Sequence, residues 1–341
     1  MIVVLLCFFA VPVSAADAYA PEAPQSAQQY MPDNTENFGQ GLWYVVRSAV
    51  QTLHPSMMEA SGACFSVIAI AVLVGSFSGL TEDRKRVMEM AGVVSVSVLL
   101  YQPANSLIRL GTNTVYQISQ YGKLLLPVMS GVLAAQGGVA KSTILYTATA
   151  FVDALLSSAI TDLLVPLLYI FLSTAIACSA FEQEVLNNIR NFIKWLTTWG
   201  LKTVLYVFTG YITITGVVGG ATDAAALKAT KLTISGMVPV VGSIISDASE
   251  AVLVSAGLVK NSVGVYGLIV IAALWVGPFL QIGVQYLMLK LSAGICETFG
   301  TKRVSYVVKG YAEVMGMLLA MVGTVSMILM ISTVCFIKGI G

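Results

Sequence analysis

The sequence predicts an all-α fold, a polytopic transmembrane helical bundle. Long stretches without a charged side chain carry this prediction: 61–81, 163–181, 203–222, 261–289 and 314–337. The hydrocarbon core of a bilayer is about 30 Å thick and needs about 20 apolar residues of helix. Charged residues make up only 10% of the chain, far below the share of about 25% in soluble domains. We therefore expect eight to ten membrane segments.

The first 60 residues predict an exported N-terminal region. Residues 1–15 form an apolar run that ends in small residues. The run is too short to span a bilayer comfortably, so we interpret it as a signal peptide, although no Lys or Arg precedes it. Residues 16–60 predict a flexible tail rich in Pro, Gln and Asn, and then an interfacial helix. The apolar residues at helical spacing in that helix are Trp43, Val46, Val50, Leu53 and Met57.

The basic residues are concentrated in three short segments beside apolar runs. Positively charged loops resist translocation, so each segment predicts a cytoplasmic loop. Alternate crossings then keep all three on one side and place both ends of the mature chain outside. In the second segment we expect the basic side chains to face lipid headgroups. The three groups are Arg84, Lys85 and Arg86; Arg190, Lys194 and Lys202; and Lys302, Arg303 and Lys309.

The remaining chain divides into three parts. Residues 61–123 predict a first transmembrane hairpin and an outer link, and 142–160 with 163–181 predict a second hairpin. Segments 124–140 and 233–257 either span the membrane or are re-entrant.

Four prolines indicate an internal duplication. Pro127 and Pro166 have the same spacing as Pro239 and Pro278, at an offset of about 112 residues. The predicted copies are 124–235 and 236–341, related as parallel repeats because their basic segments fall on one side. The prolines are candidate helix breaks, of the kind that line transport sites; the alternative is that they only kink helices for packing.

Acidic residues within apolar stretches are candidates for a polar path or a subunit contact. A carboxylate at the bilayer centre costs about 2.5–3.5 kcal/mol on insertion scales. Asp153 lies near the centre of its predicted span, whereas Asp162 could form a hairpin turn. Asp247 and Glu250 share a helical face, and a turn or a lysine pairing is the alternative for them.

The sequence motifs that would indicate a metal site or an enzyme are each incomplete in this chain. The chain has five cysteines but neither a CxxC pair nor a Cys/His cluster, so we expect no metal site. Residues 137–143, GGVAKST, lack the glycines of a phosphate-binding loop. A net charge of +1 gives no electrostatic case for nucleic acid. We expect no catalytic residues and no cofactor.

The stretch 227–267 resembles the stage III sporulation protein AE family of endospore-forming bacteria. The resemblance rests on a lysine-rich entry, the VPVVG turn, a Ser-Asp-Ala run and the LVKNSVG exit, with SGVLAAQGG at 130–138. It implies a multi-pass protein of the mother-cell membrane around the forespore, within a channel or secretion-like complex needed for late forespore gene expression. The implied partners are other membrane subunits of that complex, an ATPase subunit and a forespore protein. A stand-alone secondary transporter is the alternative.

Overall fold

The protein is an all-helical membrane bundle. The computed structural model describes residues 20–32, 38–77, 81–181, 185–208, 210 and 242–337, and the side chains of 82–83 and 242–261 are not described. Within these residues the regular elements are all helical and no strand occurs, which confirms the predicted class. The helices are α1 (Gln25–Gln28), α2 (Phe38–Gln51), α3 (His54–Ser76), α4 (Glu82–Ala135), α5 (Val139–Ser158), a π-helical segment (Ala159–Leu164), α6 (Val165–Phe181), α7 (185–208), α8 (Gly242–Thr298) and α9 (Lys302–Ile337).

Five helices in the described part are long and apolar enough to cross a bilayer. They are His54–Ser76, Arg84–Ala135, Val139–Ala180, Ser262–Thr298 and Lys302–Ile337. The predicted total of eight to ten membrane segments stays a prediction, because residues 211–241 lie outside the described chain. The signal peptide at 1–15 lies outside it as well.

Two helices are far longer than the segments predicted for them. α4 has 54 residues and α8 has 57, about 81 and 86 Å at the usual rise per residue. The helix α4 continues through the outer link predicted within 61–123, so that no separate link forms there. Each apolar run continues through its polar neighbours as one helix.

The predicted helix breaks at Pro127 and Pro278 are not found. Both prolines lie inside continuous helices, as does Pro103. A proline inside a helix removes one backbone hydrogen bond, and neighbouring helices in a membrane bundle can satisfy the freed carbonyl group. Pro239 lies outside the described residues.

The predicted hairpin between 142–160 and 163–181 is also wrong. α5 and α6 follow one another through the π-helical segment, so the chain runs in one direction from Val139 to Phe181. Pro166, the second residue of α6, cannot donate a hydrogen bond to the carbonyl four residues earlier. The wider π-helical turn accommodates this missing bond without reversing the chain.

α9 occupies the centre of the bundle, and most of its side chains are buried. Glycines let neighbouring helices approach it closely: a Cβ atom at Gly111 would lie 2.6 Å from Leu318 Cδ1, and one at Gly310 would lie 2.7 Å from Ala175 Cβ. α4 runs parallel to α9, since Gly92 contacts Val304 and Gly111 contacts Leu318. Small residues of this kind allow close packing where lipid offers no hydrophobic driving force.

Residues 20–32 and 38–51 pack on this bundle, which differs from the predicted flexible tail. Ala27 and Tyr30 are buried, and the Tyr30 ring would lie 2.9 Å from a Cβ atom at Gly277 of α8. In α2, Gly41 meets the side chain of Ile269 in the same way. The amphipathic helix predicted for the membrane surface therefore lies along α8. A polar composition suggested flexibility, but these few apolar residues suffice to anchor the segment.

The first and third basic segments meet at one end of the bundle, whereas Arg190 and Lys194 of the second segment pair with Glu313 further along α9. Arg303, at the start of α9, pairs with Glu89 of α4 at 3.1 Å and donates a hydrogen bond to the Ala180 carbonyl near the end of α6. Gly75, near the end of α3, faces the Phe299 carbonyl in the turn between α8 and α9. We call this the basic end. The charge pattern predicts this shared end for the first and third segments; the placement of all three on the cytoplasmic side stays a prediction.

The predicted repeat stays a prediction. α5–α6 and α8 both run toward the basic end, and α9 runs away from it, as a parallel repeat requires. Much of the second copy's start lies outside the described residues.

We expect Gly111→Val to destabilise the bundle by about 1–3 kcal/mol, because the new side chain overpacks against Leu318. The measurement is the midpoint of thermal aggregation in detergent. Gly131→Val in the same helix is the matched control, since no atom lies within 4 Å of a Cβ atom there. Equal shifts for both variants would contradict the close α4–α9 contact.

Candidate functional site

Asp153, predicted to face a polar path, is buried where α4 and α5 meet. Its side chain is 4% exposed, and its Oδ2 atom accepts a hydrogen bond from Ser119 Oγ at 2.7 Å. Lys123, one turn further along α4, interacts with it electrostatically. The acid that interrupts this apolar stretch therefore joins two helices inside the bundle.

Hydroxyl groups extend this contact along the same face of α5. Ser142 and Ser130 of α4 are hydrogen-bonded at 2.7 Å, and Thr149 contacts Ser332 of α9. Ser142, Thr149 and Asp153 recur at helical spacing, so they form one buried polar row. The row ties three helices together with partners that lipid could not supply.

The other predicted acids do not join Asp153. Asp162 is exposed in the π-helical segment and accepts hydrogen bonds from Ser158 Oγ at 2.7 Å and from Thr161 Oγ1 at 3.0 Å. Asp247 and Glu250 lie in the first turns of α8, and their side chains are outside the described part. Their assignment to a polar path stays a prediction.

A second polar cluster involves Glu313, which the sequence analysis missed. The Glu313 carboxylate accepts a hydrogen bond from Arg190 at 2.6 Å and one from Lys194 at 2.9 Å. The Arg190 guanidinium also lies over the rings of Phe171 and Tyr306, at 5.4 and 4.4 Å from their centroids. α6, α7 and α9 therefore meet at one buried cation.

This geometry corrects the expectation that Arg190 faces headgroups. Its side chain is 8% exposed, whereas that of Lys194 is 49% exposed. Glu313 is the only acidic residue of α9, and at membrane depth a carboxylate needs a cationic partner. That isolated acid, beside an uncharged run of more than twenty residues, was the signal that could have located the cluster.

The remaining basic residues lie where the helices begin. Arg84, Lys85 and Arg86 are in the first turns of α4, and Lys302 and Arg303 open α9. All five belong to the basic end.

Metal-ligating side chains do not cluster in the described part of the chain. There, no group of three His, Cys, Asp or Glu residues could hold a metal ion. Its four cysteines are reduced, and Cys64 accepts a hydrogen bond from Ser292 at 2.7 Å.

Long apolar helices, close glycine contacts and buried interhelical ion pairs define a polytopic helical membrane protein. A family model described as Stage III sporulation protein AE matches residues 27–339, so the chain belongs to that family. The stage III sporulation protein AE of Bacillus subtilis (strain 168) is 23% identical over 221 residues. The match covers 64% of this chain and 55% of that relative, little more than half of its length. No solved structure matches the chain. The resemblance found in the sequence is therefore confirmed, and it implies a role in sporulation.

We expect Glu313→Ala to destabilise the protein by about 3–5 kcal/mol, because it leaves the buried Arg190 without a counter-charge. Thermal aggregation in detergent and abundance in the membrane measure the effect. The double variant Arg190→Leu/Glu313→Leu should recover most of the loss, since it removes both buried charges.

Glu297→Ala is the control for this prediction. Glu297 pairs with Lys309, and both side chains are half exposed, so its loss should cost no more than about 1 kcal/mol. If Glu313→Ala behaved like this control, the cluster would have no structural role.

Proposed function

We propose that the protein is a membrane subunit of a channel or secretion-like complex that links mother cell and forespore during sporulation and is needed for late forespore gene expression. Membership of the stage III sporulation protein AE family across 27–339 carries this proposal. The multi-pass bundle supports it, because such a complex needs a component fixed in the membrane. The membrane would be that of the mother cell around the forespore.

The sidedness of the bundle supports particular places for its partners. Positively charged segments stay in the cytosol, so the basic end would face the mother-cell cytoplasm. An ATPase subunit would bind there. α9 ends at the opposite side, where α2 also packs on α8, and a forespore protein would make its contact on that side.

A structural rather than catalytic role fits the polar groups of the bundle. In the described helices, Asp153, Glu313 and Arg190 all pair with side chains of neighbouring helices. Groups held in this way fix helices against each other, and we infer that the protein is not an enzyme and needs no cofactor.

We expect deletion of the gene to block sporulation after engulfment and to silence a late forespore reporter. Affinity isolation of a tagged protein from sporulating cells should recover other membrane proteins and an ATPase of the same complex. The matched control is a tagged, unrelated multi-pass protein of the same membrane. Normal spores from the deletion strain would contradict the proposal.

A secondary transporter is the alternative, and the buried Asp153 beside Lys123 favours it. Burial of a carboxylate within a membrane segment often marks an ion pathway. If that alternative holds, Asp153→Asn leaves the protein at normal abundance and lowers sporulation at least about tenfold, since the amide keeps the hydrogen bond of Ser119 but loses the charge.

We expect instead near-normal sporulation from Asp153→Asn, because the complex needs the helix contact rather than the charge. Spore counts and the membrane abundance of the variant decide between a subunit of the sporulation complex and a secondary transporter. Ser119→Ala is the control that removes the contact and keeps the carboxylate.

A further inference from the structure

Two residues of opposite charge, Arg109 and Asp162, are exposed in the described part of the bundle. Arg109 lies on α4, within electrostatic range of the neutral Tyr169 of α6. Asp162 lies in the π-helical segment and is hydrogen-bonded only to the hydroxyl groups of Ser158 and Thr161. Among the described residues, neither has a salt bridge.

The two charges lie at the same depth in the bundle. Tyr169 donates a hydrogen bond to Asn105 Oδ1 at 2.7 Å, which fixes α6 against the antiparallel α4. Arg109 is one turn beyond Asn105, about 6 Å further from the basic end. Asp162 is seven residues before Tyr169 and about 10 Å further in the same direction. Their depths therefore differ by about 4 Å.

Exposed apolar residues border each of the two charges. Gln102, Ser106, Arg109 and Asn113 are exposed at helical spacing, and we call them the polar α4 face. Val98 and Leu124, on the same helix beyond the face, are exposed and apolar. Asp162 is likewise bordered by the exposed Leu155, Leu163 and Ile170. Lipid tails suit these apolar borders, and an opposite charge on a neighbouring protein would pair with either residue.

We infer that copies of this chain associate side by side in the membrane, with Arg109 on the polar α4 face of one copy paired with Asp162 of the next. Copies in one membrane share their orientation, so groups at one depth meet without a vertical shift. The chain thus carries both halves of a complementary contact.

The inference does not rest on the proposed function, and it is tested by charge reversal. Two differently tagged copies are expressed together, and one tag is used to isolate the other from mild detergent. Arg109→Glu in all copies should lower co-isolation about tenfold, because like charges then meet, and Asp162→Arg should do the same. The double variant Arg109→Glu/Asp162→Arg should restore it.

Mixing the two single variants distinguishes a contact between copies from one within a chain. Glu at 109 of one variant can pair with Arg at 162 of the other, and the unchanged Arg109 and Asp162 pair in return. Co-isolation should therefore return to near the wild-type amount. Lys290→Glu, which reverses an exposed cation of α8, is the control and should have no effect.

Two results would overturn the inference. One is unchanged co-isolation for Arg109→Glu. The other is rescue by the double variant without rescue by the mixture, which would place the ion pair inside one chain. Membrane abundance of each variant shows that a loss of co-isolation is not a loss of protein.

Discussion

Polar groups in the interior of this bundle have no water to bond with. The packing of the helices therefore depends on hydrogen bonds and ion pairs between these groups and side chains of neighbouring helices. Asp153 joins α5 to α4 through Ser119, and Glu313 joins α9 to α7 through Arg190. A hydrogen bond has a narrow range of distance and angle. Each of these polar pairs therefore fixes the position of one helix along the axis of its neighbour. Apolar contacts alone do not fix that position.

Close packing acts together with these pairs. Between helices in lipid, association depends on van der Waals contact and hydrogen bonding rather than on exclusion of water. Gly111 and Gly122 bring α4 onto Leu318 and Leu329 of α9. The buried hydroxyl of Tyr311 donates to the Ser97 carbonyl between the same two helices. Glycines set the distance between the helix axes, and the polar contact sets the longitudinal position.

The class of fold and the shared end of the first and third basic segments were predictable from the sequence, because both follow from composition and charge. The helix ends were not. Dividing a sequence into spans of about 20 residues ends a segment at each charge or proline, whereas Asp162 bonds to Ser158 and Thr161 within an unbroken run. Glu313 was missed because it stands beside a basic loop, and loop acids usually face water. The Glu313 carboxylate pairs with Arg190 and Lys194 of α7. The sequence does not show that α7 packs against α9.

Helix length has a consequence for the side opposite the basic end. α9 has 36 residues, about 54 Å, whereas a bilayer with its headgroups is about 40–45 Å thick. α4 is longer still. With the basic end at the cytoplasmic headgroups, the excess length extends beyond the membrane on the exported side. Gly41 of α2 packs on Ile269, about 45 Å along α8 from Phe299, so the N-terminal helix reaches the start of that extension. A rigid helical projection of this kind is the surface that the forespore partner proposed above would contact.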